Sequence, residues 1–150
     1  MIGEAVQHPK HYQHPSGVEC INVIRHYTCD IANAMKYLWR AGLKSEEGMT
    51  LREKEIEDCR KAVWYLKDYY LYGSGGHFYH IKAHPHPSGI DCEQIASCYC
   101  DYIADAFRQL WHVGLVIEGT VVKIKDEDKH VLAAIRSIEE HIKELGNEGS

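Results

Sequence analysis

Lys36, Tyr37 and Arg40, with Asn33 one turn before them and Lys44 one turn beyond, lie at helical spacing along one stripe of the chain. Asp58, Lys61 and Tyr65 repeat that spacing on a second segment. Ammonium and guanidinium groups suit phosphate oxygens, a tyrosine ring offers a stacking surface, and a side-chain amide can read a base or sugar edge. Together they describe a grip for a phosphorylated nucleotide. A solvated helix face with routine ion pairs is the plainer account of such a stripe. Discriminating the two requires the elements that carry it.

Those elements come as two diverged copies. HPSGVECINVI at 14–24 is echoed by HPSGIDCEQIA at 86–96, an offset of 72. Without a gap the same offset pairs His8 with His80, Tyr27 with Tyr99, Leu38-Trp39 with Leu110-Trp111 and Gly42-Leu43 with Gly114-Leu115. Agreement of this length marks a tandem duplication. Each copy reads as three helices. Ser16-x-x-Glu19 and Ser88-x-x-Asp91 are capping signatures that predict helix starts at the serines. A second helix spans about Asp30 to Ala41, with Ile31, Ala34, Met35 and Leu38 on its apolar side and Gly42 as its stop; its twin spans about Tyr102 to Val113. The third begins at the capping box Thr50-x-x-Glu53 and runs to about Tyr72, and its twin runs from Asp126 to about Leu145.

The predicted fold is therefore all-α: a first copy over 1–72 that carries the site, a linker over 73–79 around GSGG, and a degenerate second copy over 80–150. The two would pack as a pseudo-symmetric dimer within one chain. VIEGTVVKI at 116–124 is rich in β-branched residues and predicts a short β-hairpin around Glu118-Gly119.

The second copy is an internal control for the stripe. Its apolar scaffold is retained, whereas Asn33 becomes Asp105, Tyr37 becomes Gln109, Arg40 becomes His112, Lys44 becomes Val116, Asp58 becomes His130 and Lys61 becomes Ala133. His11 and Tyr12 are replaced by Ala83 and His84, and only Lys36 keeps its charge, as Arg108. One competent site beside one supporting copy accounts for this, as does drift on a solvated face.

With 22 acidic residues against 17 basic, the net charge of −5 disfavours non-specific nucleic-acid binding or attachment to an anionic membrane, so any anion site is local. No stretch approaches the roughly 20 apolar residues of a membrane span, and MIGEAVQHPK lacks the layout of a signal peptide, which predicts a cytoplasmic protein. The six cysteines show no CxxC pair and are expected to be reduced and mostly buried. His8, His11 and His14 recur every third residue, but Pro9 and Pro15 make that segment extended, so no metal site is assigned.

HYQHPSGVECINVI, then NAMKYLWRAGLK, then D-x-x-KAVWYL resembles a phage family catalogued as a domain of unknown function, number 3310, over about residues 8–70. That family is similar to a small coliphage kinase of deoxynucleoside monophosphates that has no phosphate loop. The resemblance points to His11, Tyr12, Gly17, Glu19, Asn33, Lys36, Tyr37, Arg40, Lys44, Asp58, Lys61 and Tyr65, and to the cytoplasm of a phage-infected bacterium. The chain departs from the family in Ala32, where glycine is frequent, and in its second copy.

Several functions follow from this reading. In a kinase, Lys36, Arg40 and Lys44 would neutralise the transferring phosphoryl group, and Asp58 or Glu57 would hold Mg2+ brought with the nucleotide. A non-catalytic sponge for a host nucleotide immune signal needs only the cationic and aromatic groups. A nucleotide pyrophosphohydrolase would use Glu53, Glu55, Glu57 and Asp58, with Glu46 and Glu47 upstream. An adaptor without ligand is the fourth. The expected partners are a nucleotide-derived small molecule and further copies of the chain.

Overall fold

The computed structural model describes residues 14–73, 75–81 and 85–147. Among the described residues six helices and three short strands follow one another. In the first half these are α1 (Cys20–Ile24), α2 (Cys29–Arg40) and α3 (Leu51–Tyr72). After β1 (His77–Phe78) come α4 (Cys92–Ala96), α5 (Asp101–Leu110), β2 (Val116–Ile117), β3 (Thr120–Lys123) and α6 (Glu127–Asn147). The protein is mostly helical, as its periodicity predicted.

The third helix of the first half starts where its capping box places it: Thr50 accepts from the Glu53 amide and the Glu53 carboxylate accepts from the Thr50 amide. The serine signatures were misread. Glu19 and Asp91, not Ser16 and Ser88, immediately precede α1 and α4. The serine hydroxyls instead close tight turns, accepting from Val18 and Ile90, because Gly17 (φ +78°) and Gly89 (φ +69°) turn the chain back before a helix can begin.

The expected hairpin forms, with Glu118 and Gly119 both at positive φ in its two-residue turn. Beyond that expectation, His77–Phe78 of the proposed linker pairs in parallel with β3, so the order is β1-β3-β2. The equivalent stretch after Gly42 holds Lys44, Ser45, Glu46 and Glu47 and forms no strand, because it lacks the β-branched run. Gly114 must be glycine: at φ +67° a Cβ would lie 2.8 Å from both Ile31 and Thr28. This is where the hairpin is clamped to the first half, through Thr28 N donating to Gly114 O and Val116 N donating to His26 O.

One core runs through both halves. Ile31, Ala34, Met35, Leu38 and Trp39 of α2 are fully buried, as are Ala106, Phe107 and Leu110 of α5. The long helices α3 and α6 pack on each other across the halves. A reciprocal polar exchange joins the halves as well. His14 Nε2 meets Tyr99 Oη at 2.8 Å, and Tyr99 donates to the Trp39 carbonyl. His86 Nε2 meets Tyr27 Oη at 2.8 Å, and Tyr27 donates to the Trp111 carbonyl. The Ser16 and Ser88 amides donate to the Nδ1 atoms of these rings, so Nε2 carries the proton in both. Each relay thus runs from imidazole to phenol to carbonyl.

The relays differ in one respect. His86 Nε2 also reaches the Trp111 carbonyl directly at 3.0 Å. Tyr27→Phe therefore leaves that carbonyl a donor, whereas Tyr99→Phe deprives the Trp39 carbonyl of its phenol. Tyr99→Phe should cost about 2 kcal/mol in urea denaturation and Tyr27→Phe less; equal losses would show that the direct bond contributes nothing.

Burial pushes the His86 ring down to about 4 and lowers that of His14. A ring depressed from 6.5 binds fewer protons folded than unfolded, so its contribution is complete above about 6.5 and is lost as the pH falls towards about 4. Urea midpoints across that window should show this slope, and His86→Gln should flatten it.

Candidate functional site

The site is assembled by α2 and α3 of the first half, whose apolar sides pack together and leave their polar edges adjoining. Tyr37 of α2 is its centre. Its ring stacks on Tyr65 of α3, with centroids 5.9 Å apart and planes 14° from parallel. Three cations lie over the Tyr37 ring: Arg40 Cζ at 4.6 Å, Lys36 Nζ at 5.3 Å and Lys61 Nζ at 5.4 Å, all within cation–π range. Residues from two helices, expected on one stripe each, thus converge on one aromatic platform.

Beneath the platform lies a buried charge cluster. Asp58 is fully buried and Lys54 is 1% exposed. Asp58 Oδ1 lies 3.4 Å from Lys54 Nζ and 3.6 Å from Arg40 Nε. No described group completes a hydrogen bond to Arg40 Nε or to either Asp58 oxygen. Lys54 also donates to Glu57 at 2.8 Å, and Lys61 donates to the same carboxylate oxygen at 3.0 Å. These two bonds, Lys54 first, hold the Glu57 carboxyl down at about 2. The bond to Glu57 raises the Lys54 ammonium against its burial, with Asp58 adding to the effect. Lys44 at the edge is lowered by partial burial and then by the charges of Arg40 and Lys54. Its proton is thus held less firmly beside two fixed cations.

Asn33 is turned to its own helix, where its amide donates to the Cys29 carbonyl at 3.0 Å. His11 and Tyr12, the other expected contacts, lie outside the described residues, as does His8. Both ring nitrogens of His14 are engaged, Nδ1 with Ser16 and Nε2 with Tyr99. The acidic residues of α3 diverge. Glu53 serves the helix cap, Glu55 bonds His141 at 2.6 Å, Glu57 holds Lys54 and Lys61, and Asp58 faces inward. Among the described residues no three His, Cys, Asp or Glu side chains are grouped to hold a metal ion.

The same positions in the second half are satisfied internally. Ser137 donates to Asp105 at 2.6 Å, Gln109 bonds both Asp105 and His130, and Arg108, the counterpart of Lys36, is gripped by both oxygens of Glu93. Sequence reasoning missed Lys54, although its spacing to Asp58, four residues along a helix, was available. The cysteines also depart from expectation. All six are free, but only Cys20 and Cys59 are fully buried; Cys29, Cys98 and Cys100 are exposed.

Residues 6–67 match the sequence model of a family described as "Protein of unknown function (DUF3310)". All the described site residues fall within that span; the second half lies outside it. No curated protein and no solved structure matches the chain. Among the described residues no helix is long and apolar enough to cross a membrane.

Lys54 and Arg40 are the two counterions of buried Asp58. Lys54→Met should destabilise the protein by about 3 kcal/mol in chemical denaturation, since the buried carboxylate then keeps only the more distant Arg40. Adding Asp58→Asn should restore part of the loss, and strict additivity of the two changes would argue against the pairing.

Proposed function

We propose that the first half of the chain binds a phosphorylated nucleotide. Lys36, Arg40, Lys44 and Lys61 would hold its phosphate oxygens, Tyr37 and Tyr65 would offer the stacking surface, and Asn33, His11 and Tyr12 would add contacts. The observation that carries this reading is the gathering of three cations on the Tyr37 ring. Like charges brought together repel; Glu57 and Asp58 offset part of that cost, and an anion seated among the cations would remove more of it. In the second half the equivalent positions hold fewer cations, and Arg108, the one retained, is held by both oxygens of Glu93.

We also infer that the halves are tandem copies packed about an internal twofold. In a twofold contact residue i of one unit meets j of the other and j meets i. His14 with Tyr99 and His86 with Tyr27 obey that rule at the 72-residue offset. Such an arrangement would supply within one chain the partner surface that a single copy would seek in an oligomer.

Sequestration accounts for the site better than catalysis. As a kinase the protein would need Asp58 or Glu57 to hold Mg2+, yet Asp58 is buried between Lys54 and Arg40 and Glu57 is shared by two lysines. A sponge for a host nucleotide signal asks only for the cations and rings. The kinase reading rests on the resemblance of the first copy to the phage family.

Thermal shift and calorimetry with AMP, dTMP, ATP and a cyclic dinucleotide, each beside inorganic phosphate, test the proposal. At 100-fold excess over Kd the bound nucleotide should add about 2.7 kcal/mol of stability. Lys36→Ala with Lys61→Ala, neither of them buried, should abolish that gain while leaving the unliganded melting temperature nearly unchanged. No stabilisation by any nucleotide, or unchanged binding by the double variant, sinks the reading. Recovery of intact ligand after denaturation supports sequestration, whereas phosphoryl transfer from ATP with Mg2+ supports the kinase.

A further inference from the structure

A second group of chemically capable side chains lies where the two halves meet, formed by residues that the nucleotide reading does not use. Cys100 immediately precedes α5, and its Sγ lies 3.6 Å from His141 Nδ1 on α6. The other nitrogen of that ring, Nε2, bonds Glu55 Oε2 on α3 at 2.6 Å. Thiol, imidazole and carboxylate are therefore in series, each within bonding distance of the next. This is the order that activates a nucleophile: a base beside the thiol and a third group orienting the base. Cys100 is exposed and can be reached, whereas His141 is 9% exposed and fixed. The three border an open cleft of about 200 Å3 whose walls include Pro15, Ala41, Leu43, Tyr99 and Ile103.

The 72-residue offset supplies a control. Cys100, His141 and Glu55 correspond to Thr28, Tyr69 and Glu127. There the carboxylate again takes its bond, from Tyr69 Oη at 2.9 Å, but a hydroxyl stands in place of the thiol and a phenol in place of the imidazole. The same framework thus carries a thiol and a base on one side only. Packing alone requires no cysteine and histidine at these places.

We infer that Cys100, His141 and Glu55 form a nucleophilic thiol centre that accepts small uncharged acyl groups from esters or thioesters. Burial by itself raises the Cys100 thiol; the His141 ring and the Tyr102 and Ile103 amides outweigh it, so the thiol ends below its ordinary value. Cys100 and then Glu55 raise His141 to about 9, so the ring is protonated at neutral pH and favours ionisation of the thiol beside it. The apolar walls of the cleft, Pro15, Ala41, Leu43 and Ile103, disfavour anionic electrophiles.

The chemistry balances with water as the co-reactant. The thiolate electron pair attacks the acyl carbon and forms a C–S bond. The leaving alkoxide or thiolate departs with its electron pair and takes the proton of His141 Nδ1. Neutral His141 then removes a proton from water, the hydroxide adds to the thioester carbon, and the C–S bond breaks to restore the thiolate. One ester and one water give one acid and one alcohol. The centre is independent of the nucleotide site, and either can fail without the other.

Incubation with p-nitrophenyl acetate, followed by peptide mass spectrometry, compares Cys100 with exposed Cys98 in the same folded chain. Acetylation should favour Cys100 by at least about a hundredfold, within the range one positioned base supplies. In His141→Gln the Cys100 rate should fall by about as much and its rise with pH should move to higher pH. Glu55→Gln should lower it about tenfold, consistent with an orienting second partner. Circular dichroism checks that both variants fold. Equal labelling of Cys98 and Cys100 in the unaltered chain, or a folded His141→Gln protein with unchanged rate and pH profile, overturns the proposal.

Discussion

The structure depends on the pair of buried relays that lead from imidazole through phenol to a main-chain carbonyl. Each tryptophan carbonyl sits at or near the end of a central helix, where it has no amide partner further along the helix. An apolar surround would make that orphan costly. The protein meets the need from the opposite half: Tyr99 reaches the Trp39 carbonyl and Tyr27 reaches that of Trp111. The phenol must then be held, which is what His14 and His86 do, and the serine amides fix which ring nitrogen carries the proton. Neither half can satisfy its own helix end through this phenol. The apolar area supplies most of the cohesion, but these directional bonds restrict how the halves can be rotated against one another.

Fixing that arrangement has a chemical consequence. It brings α3 alongside α6, and with them Glu55 to His141 and Glu127 to Tyr69. Each seam places a carboxylate against a glycine turn. Gly42 leaves 3.0 Å between its absent Cβ and Glu55, and the Gly114 amide donates to Glu127 at 3.3 Å. Once a framework holds an oriented carboxylate, the residues facing it can diverge without disturbing the backbone. The halves accordingly differ at their polar edges and agree at Leu38 and Trp39, which the 72-residue offset matches to Leu110 and Trp111.

The helices were legible in the sequence because they rest on local or periodic signals. The Thr50 capping box, the apolar spacing of α2 and the β-branched run at 116–124 each carry their own structural reason. The misread serines show the limit of such signals: Ser-x-x-Glu describes a cap, but the intervening Gly17 had already committed the chain to a turn. The platform around Tyr37 was legible as residue types on two stripes, since helical spacing alone places Lys36, Tyr37 and Arg40 together. Its stacking on Tyr65 depends on how α2 meets α3.

The seam residues were illegible for a different reason. Cys100, His141 and Glu55 are 41 and 86 residues apart along their two bonds, and no periodicity links them. What could have exposed them is the offset, read for substitutions that gain chemistry as well as for those that lose it. Read for losses, the offset sets Gln109 against Tyr37 and Ala133 against Lys61. The same comparison turns Thr28 into Cys100 and Tyr69 into His141, both towards greater reactivity. The 72-residue offset is thus informative in both directions, because the apolar positions it matches give a common frame for the polar ones it does not. Here the departures run opposite ways at two places, with the first half richer in cations at its edge and the second half richer in a nucleophile and a base at the seam.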